Sequence, residues 1–279
     1  MPHGWPAYLY ALNKTTMNRL TIAVALLLTM SSNAQNIQLK LPAGKKFETT
    51  TTQYQTQLLA DAEIISSMLL VELYEIKSVK PAQTDIQATL LRIKRNYTGM
   101  GEDFTDDTDE KNETGIMLKE KFCQPKNIRV NAAGKPVDEA SMANAHKTDL
   151  MATGISLFYS SLIGRPLTKG ASWKDSSVSI LDQYNRKING TFTVISVQDN
   201  TAVITFEGNS ESGLMIELEE NASSSIEKSK ITGEIKMDLE TGIVLESTTS
   251  GEGTTIFEAN GKSITAVSKT TTTIKTKML

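Results

Sequence analysis

Cysteine is almost missing from this sequence: Cys123 is the single one in 279 residues, so no disulfide can form within the chain. Histidine is nearly as scarce. There are two, His3 and His146, which excludes sites built from several imidazoles, the H-E-x-x-H zinc pattern among them. No apolar run reaches the roughly 20 residues that a helix needs to cross a bilayer. Nor is there an excess of positive charge. The formal net charge is −3, which argues against nucleic acid or an anionic membrane surface as a partner.

What is present begins with an export signal that does not start at Met1. Met17, Asn18 and Arg19 form a short basic head, residues 20–30 an apolar run, and Ser32-Asn33-Ala34 a small-x-small cleavage site. Residues 1–16 fit no part of this pattern, so Met17 is expected to be the true start and 1–34 to be removed. Cleavage near Ala34 takes away Lys14 and Arg19 but no acid, leaving a more acidic chain. No cysteine stands at the cleavage site to carry a lipid anchor. The sequence therefore reads as a soluble periplasmic or secreted protein, not a membrane-spanning one. Within it Cys123 reads as a small buried hydrophobe.

Beyond residue 35 the fold class reads as mainly β (α+β): strands separated by glycine and asparagine turns, as in an antiparallel sheet. The clearest strand is 231–239, where Ile231, Gly233, Ile235, Met237 and Leu239 alternate with polar residues. Thr241-Gly242 turns it into the next strand. Asp199-Asn200 and Asn260-Gly261 mark further hairpins. Residues 47–58, 69–79, 88–97 and 126–130 read as strands of the first half. Threonines cluster at 49–52 and 270–273, expected as adjacent or edge strands.

One stretch breaks the period of two. From 138 to 163, Ala140, Ala143, Leu150, Met151, Ile155, Phe158 and Leu162 recur at three and four, predicting an amphipathic helix. Asp138 is placed to cap it, and Gly164 and Pro166 to end it. His146, Asp149 and Ser156 fall on its polar face, where His146 reads as a solvated side chain.

The regions on either side look like diverged copies. Leu41-x-x-Gly44-x-x-Phe47 matches Leu167-x-x-Gly170-x-x-Trp173. Tyr74-x-Ile76-x-Ser78-Val79 matches Phe192-x-Val194-x-Ser196-Val197, and Ala132–Lys135 matches Ala259–Lys262. The resulting organisation is a β half at 35–136, a central helix at 137–165 and a second β half at 166–279, all in one structural domain. It predicts a curved sheet or half-barrel with the helix packed on it.

No catalytic constellation is found. Gly261-Lys262-Ser263 lacks the first glycine of a P-loop. Ser225-x-x-Lys228 lacks its companion motifs, and 208–213 misses G-x-S-x-G by one residue. The acidic run 103–113 offers Asp106, Asp107 and Asp109 as weak calcium ligands, but Lys111 and Asn112 break the EF-hand pattern. It reads better as a solvated loop, and no metal or cofactor is expected.

The signal ending in Asn33-Ala34-Gln35, the L-x-x-G-x-x-aromatic opening, a central helix and the Asp238-Leu239-x-Thr241-Gly242-Ile243-Val244 hairpin together resemble an exported family of unknown function. That family is common in Bacteroidetes-type bacteria. In architecture alone the chain is similar to LolA/LolB-like periplasmic lipoprotein carriers. The resemblance implies no catalytic residues. Three readings follow. The first is a non-enzymatic protein holding a lipid or acyl chain between sheet and helix, lined by Leu150, Ile155, Phe158, Leu162, Ile235 and Met237. The second is a cell-envelope structural or protein-interaction module using exposed sheet edges or the threonine-rich strands. The third is a hydrolase working through carboxylates.

Overall fold

The computed structural model describes residues 36–59, 62–148, 156–181, 184–218, 221–259 and 262–279. The signal segment, its proposed start Met17 and cleavage site at Ala34, the turn at Asn260-Gly261, and Leu150 and Ile155 lie outside them. The strands are β1 (Lys46–Leu59), β2 (Ala62–Lys80), β3 (Gln83–Gly99), β4 (Glu102–Asp107) and β5 (Lys126–Val130) in the first half. In the second they are β6 (Ser172–Leu181), β7 (Tyr184–Gln198), β8 (Thr201–Leu218), β9 (Asn221–Asp238), β10 (Val244–Ala259) and β11 (Lys262–Met278). Two short helices, α1 (Glu113–Phe122) and α2 (Glu139–Thr148), fall between β4 and β6.

All eleven strands join one antiparallel sheet in the order β4-β3-β2-β1-β11-β10-β9-β8-β7-β6, with β5 also on β3. The fold is thus mainly β, as expected, and the sheet stays open. Both threonine-rich strands are central neighbours: Thr52 lies opposite Thr273 and Gln53 opposite Thr272. The Asp199-Asn200 turn has positive φ at both residues, 46° and 62°, the requirement of a type I′ hairpin.

The two halves repeat each other in hydrogen bonding as well as in sequence. Gly44 (φ 76°) and Gly170 (φ 84°) each close a turn ahead of the first strand of their half. The Gly44 N–H donates to the Ile76 carbonyl and the Ile76 N–H to Lys45; likewise Gly170 donates to Val194 and Val194 to Ala171. These are G1 bulges, which need the left-handed backbone that glycine adopts freely. Phe47 then faces Tyr74, and Trp173 faces Phe192. A second bulge follows at Ile76/Ser78 in one half and Val194/Ser196 in the other.

Of the third sequence match, Asn260 and Gly261 lie outside the described residues; within them, Ala132–Lys135 is built like the turn after β9. Asn131 Oδ1 accepts from the Ala133 and Lys135 N–H groups, and Asp238 Oδ2 from Thr241. Each turn closes on a positive-φ glycine, Gly134 or Gly242. In the same frame β4 and β5 together correspond to β9, as one return strand interrupted by α1.

The central helix is shorter than the periodicity implied. Asp138 caps it as expected, its Oδ1 accepting from the Ser141 N–H at 2.8 Å. The helix nevertheless ends at Thr148, and 156–164 is a run of turns. The backbone there bonds outward: Val244 N–H to Leu157, Gly164 N–H to Ile37, and Ile37 N–H to Arg165. Spacings of three and four arise from successive turns that aim Leu157 and Phe158 one way and Leu162 the other.

Those side chains cross-tie two cores. The first gathers Leu41, Phe47, Tyr74, Ile76, Ile128, Leu157 and Phe158. The second gathers Ile37, Leu162, Leu167, Phe192, Ile204, Ile235 and Met237. Ile37, ahead of β1, is buried in the second core, and Phe158, ahead of β6, in the first.

Candidate functional site

Of the side chains expected to line a ligand space, the four that lie among the described residues are buried core members. Phe158 is 3% exposed, Leu162 and Met237 0% and Ile235 4%. Phe158 belongs to one core and the other three to the second. Two shallow hollows lie further along β1–β3, on opposite faces. One of about 200 Å³ is lined by Gln53, Met68, Arg95, Tyr97 and Phe104. The other, of about 370 Å³, is lined by Thr52, Tyr54, Leu69, Lys94 and Thr273.

Ser156 does not lie on a wet helix face. It is 7% exposed, and its hydroxyl donates to Glu72 Oε2 at 2.6 Å while lying 2.9 Å from Tyr74 OH and 3.1 Å from Thr49 Oγ1. Glu72 is itself 3% exposed. Burying a carboxylate requires such donors, and the group ties the 156–164 segment to β1 and β2. The sequence carries the signal, because Glu72 falls in step with Leu70, Tyr74 and Ile76 on the packed face. That charged residue in an apolar series went unread.

The acidic run is held by cations. Asp106 meets Arg95 at 2.6 Å, Asp107 meets Arg92 at 2.7 Å and Lys94 at 3.6 Å, and Asp109 meets Arg92 at 3.0 Å. The Arg92 guanidinium holds the Asp107 carboxyl down to about 2. No three metal-ligating side chains converge among the described residues. Of the run 103–113 expected as a loop, 103–107 lie in β4 and Glu113 opens α1, capped by Asn112 Oδ1 accepting from the Gly115 N–H at 2.7 Å. Its basic residues Lys119 and Lys121 lie in the last turn, where the helix dipole favours them. Cys123 ends α1 half-buried rather than buried, and its burial pushes the thiol pKa up, away from the reactive thiolate. His146 lies on α2.

Beyond the cores the strands continue with no second layer among the described residues. β2 alone has 19 residues, about 60 Å at 3.3 Å per residue. On the face opposite the cores, register places Leu58 beside Val267 and Ile256 beside Ile226. All four are 40–52% exposed, forming an apolar row across β1, β11, β10 and β9. The rest of that face carries cross-strand ion pairs, including Glu48–Lys277 at 2.8 Å, Glu246–Lys275 at 3.4 Å and Glu252–Lys269 at 2.9 Å.

The sheet edges are treated differently. Along β5, Ser141 Oγ accepts from the Arg129 N–H at 2.9 Å, the Val137 N–H donates to Arg129 O at 3.0 Å, and Asn144 Nδ2 donates to Asn127 O at 2.8 Å. Groups around α2 thereby cap the edge. Along β6 no strand pairs on the outer side among the described residues.

No protein-family model matches this sequence, and no curated protein matches it either. Among solved structures, an outer membrane channel from Pseudomonas putida F1 is similar at 8% identity and TM-score 0.28, covering 86% of this chain and 97% of that one. OccK5 from Pseudomonas aeruginosa follows at 6% and 0.25, covering 86% and 99%. The β domain of the Bordetella autotransporter BrkA gives 11% and 0.20, covering 83% and 99%. Scores at this level carry no inference about kinship or activity.

Proposed function

We propose that this chain is an exported, soluble, non-enzymatic module of the cell envelope that binds a protein partner on the open part of its sheet. The observation that carries this reading is the division of the strands: two filled cores at one end, and long exposed strands bearing the apolar row Leu58–Val267–Ile256–Ile226 at the other. Exposed apolar patches of this kind mark contact surfaces. The ion pairs on the same face favour water over lipid, since a membrane barrel surrounds itself with an apolar band about 25 Å tall. The described side chains expected to line an acyl-chain site, Phe158, Leu162, Ile235 and Met237, are core members, which favours the surface reading over storage of a lipid.

A photo-crosslinking residue at Val267 is expected to yield a discrete protein adduct in the native envelope. The same residue at Lys236, on that face but away from the row, should yield none. Near-stoichiometric lipid in a solvent extract of the purified protein, with no adduct at Val267, would overturn the reading.

A further inference from the structure

We infer that β6 is a docking edge for an extended, acidic protein strand, an inference that rests on the interaction reading and names the partner's chemistry. Three observations carry it. First, the other edge is actively closed at β5 by Ser141, Val137 and Asn144, while among the described residues no strand pairs beyond β6 and the one local bond there is from the Ser176 N–H to Asp175 Oδ1 at 2.8 Å. Second, the alternation of antiparallel hydrogen bonding fixes which groups are open. Val194 bonds Ala171, so the odd-numbered residues of β6 pair with β7, and the N–H and C=O groups of Ser172, Lys174 and Val178 point outward, with those of Ser176 between them, whose N–H donates to Asp175 Oδ1.

Third, the internal repeat displays the missing strand. β6 corresponds to β1, and the outer side of β1 is occupied by β11, antiparallel, with Phe47 opposite Met278 and Glu48 opposite Lys277. Carried over to β6, the register puts an apolar residue opposite Trp173, and beside it the residue that faces Lys174. Here the charge is inverted: where β1 has Glu48 paired to Lys277 at 2.8 Å, β6 has Lys174, which has no ion-pair partner among the described residues. A copy of β11 would set lysine against lysine. The strand that fits β6 therefore carries Asp or Glu at that position, followed by an apolar residue, since opposite charges across a strand pair stabilise and like charges destabilise it. Main-chain bonds supply affinity and the alternate side chains supply choice, as in strand addition generally.

The test uses the full chain and two synthetic peptides: the β11 sequence 262–278, and the same peptide with Lys277→Glu. The Glu peptide is expected to bind several-fold more tightly and to slow amide exchange at Ser172, Lys174 and Val178. In the Lys174→Glu chain the preference should invert. Exchange of the peptide for β11 at β1 would show the opposite preference in the unaltered chain, because Glu48 selects Lys277. A preference unchanged by Lys174→Glu, or no protection of the β6 amides by either peptide, overturns the inference. A Val267 adduct obtained alongside that failure would leave the broader interaction reading standing.

Discussion

The first half of the sheet sets Tyr74 opposite Ala88, and Glu72 opposite Leu90 beside it. The second sets Phe192 opposite Phe206, and Gly190 opposite Gly208 in the corresponding places. One core is completed by a buried hydroxyl and carboxylate network around Ser156, the other by a cluster of three rings, one pair stacked and one tilted. Trp173 and Phe192 have centroids 5.7 Å apart, and Phe192 and Phe206 4.8 Å apart. The backbone plan is shared while the volumes are exchanged: where a phenyl ring replaces Ala88, the neighbouring positions shrink to glycine. Two halves with the same bulges can thus differ almost completely in side chains, because close packing constrains the sum of volumes and not each residue.

The largest effect should come from refilling that space. A Cβ at Gly190 would lie 2.3 Å from a Phe206 ring carbon and 2.8 Å from the Glu207 carbonyl. Gly190→Val is expected to cost about 3 kcal/mol in urea unfolding. Gly190→Ala combined with Phe206→Ala, which imitates Ala88 of the first half, should cost clearly less than the sum of the two single changes. Simple additivity would break the volume-exchange account.

A second contrast is the return strand, continuous as β9 but interrupted by α1 between β4 and β5. Asp107 holds the interruption, accepting from Arg92 Nε at 3.1 Å, Arg92 Nη2 at 2.7 Å and the Asp109 N–H at 3.1 Å. Its carboxyl lies at about 2, below the ordinary 3.8, chiefly because of Arg92. A depressed carboxylate contributes stability that is complete above the unfolded value and fades as the pH falls through the folded one. Here that is about 2 kcal/mol, lost between about pH 4 and pH 2. In Asp107→Asn the decline over this window should be shallower, with the difference in amide exchange confined to β4 and α1 and absent from β9. An unchanged slope would sink the assignment.

These contrasts also show what a sequence can reveal. Hairpins at Asp199-Asn200 and Thr241-Gly242 were legible because their turn chemistry is local. So were the two lead-in glycines, since positive φ narrows the choice of residue. The pairing of the threonine strands followed from composition. The extent of the central helix did not, because Phe158 and Leu162 at helical spacing serve equally well as successive turns feeding two cores. Glu72 was hidden by its own strand: alternation marks a packed face but does not say that a hydroxyl from position 156 will meet a carboxylate there. The interaction surface was legible only as a class, because an open edge is defined by the strand that is missing beside it.

The smallest predicted effect tests the contrast between the two edges. Ser141 Oγ satisfies the outward N–H of Arg129, and that bond resembles what an added strand would make. Ser141→Ala removes one acceptor from a partly buried N–H, which should cost about 1 kcal/mol. Its informative readout is association, because with Arg129 exposed the β5 edge gains part of the pairing capacity assigned to β6. Ser141→Ala, and more so with Asn144→Ala, is expected to raise the weight-average mass in sedimentation as concentration increases, and to speed amide exchange at Arg129 while β6 exchanges as before. If the uncapped chain remains as monodisperse as the parent, Ser141 is only a helix-packing residue. The difference between the edges would then lie in strand length: β5 has 5 residues and β6 has 10, and the longer edge alone offers enough consecutive outward groups to hold a partner.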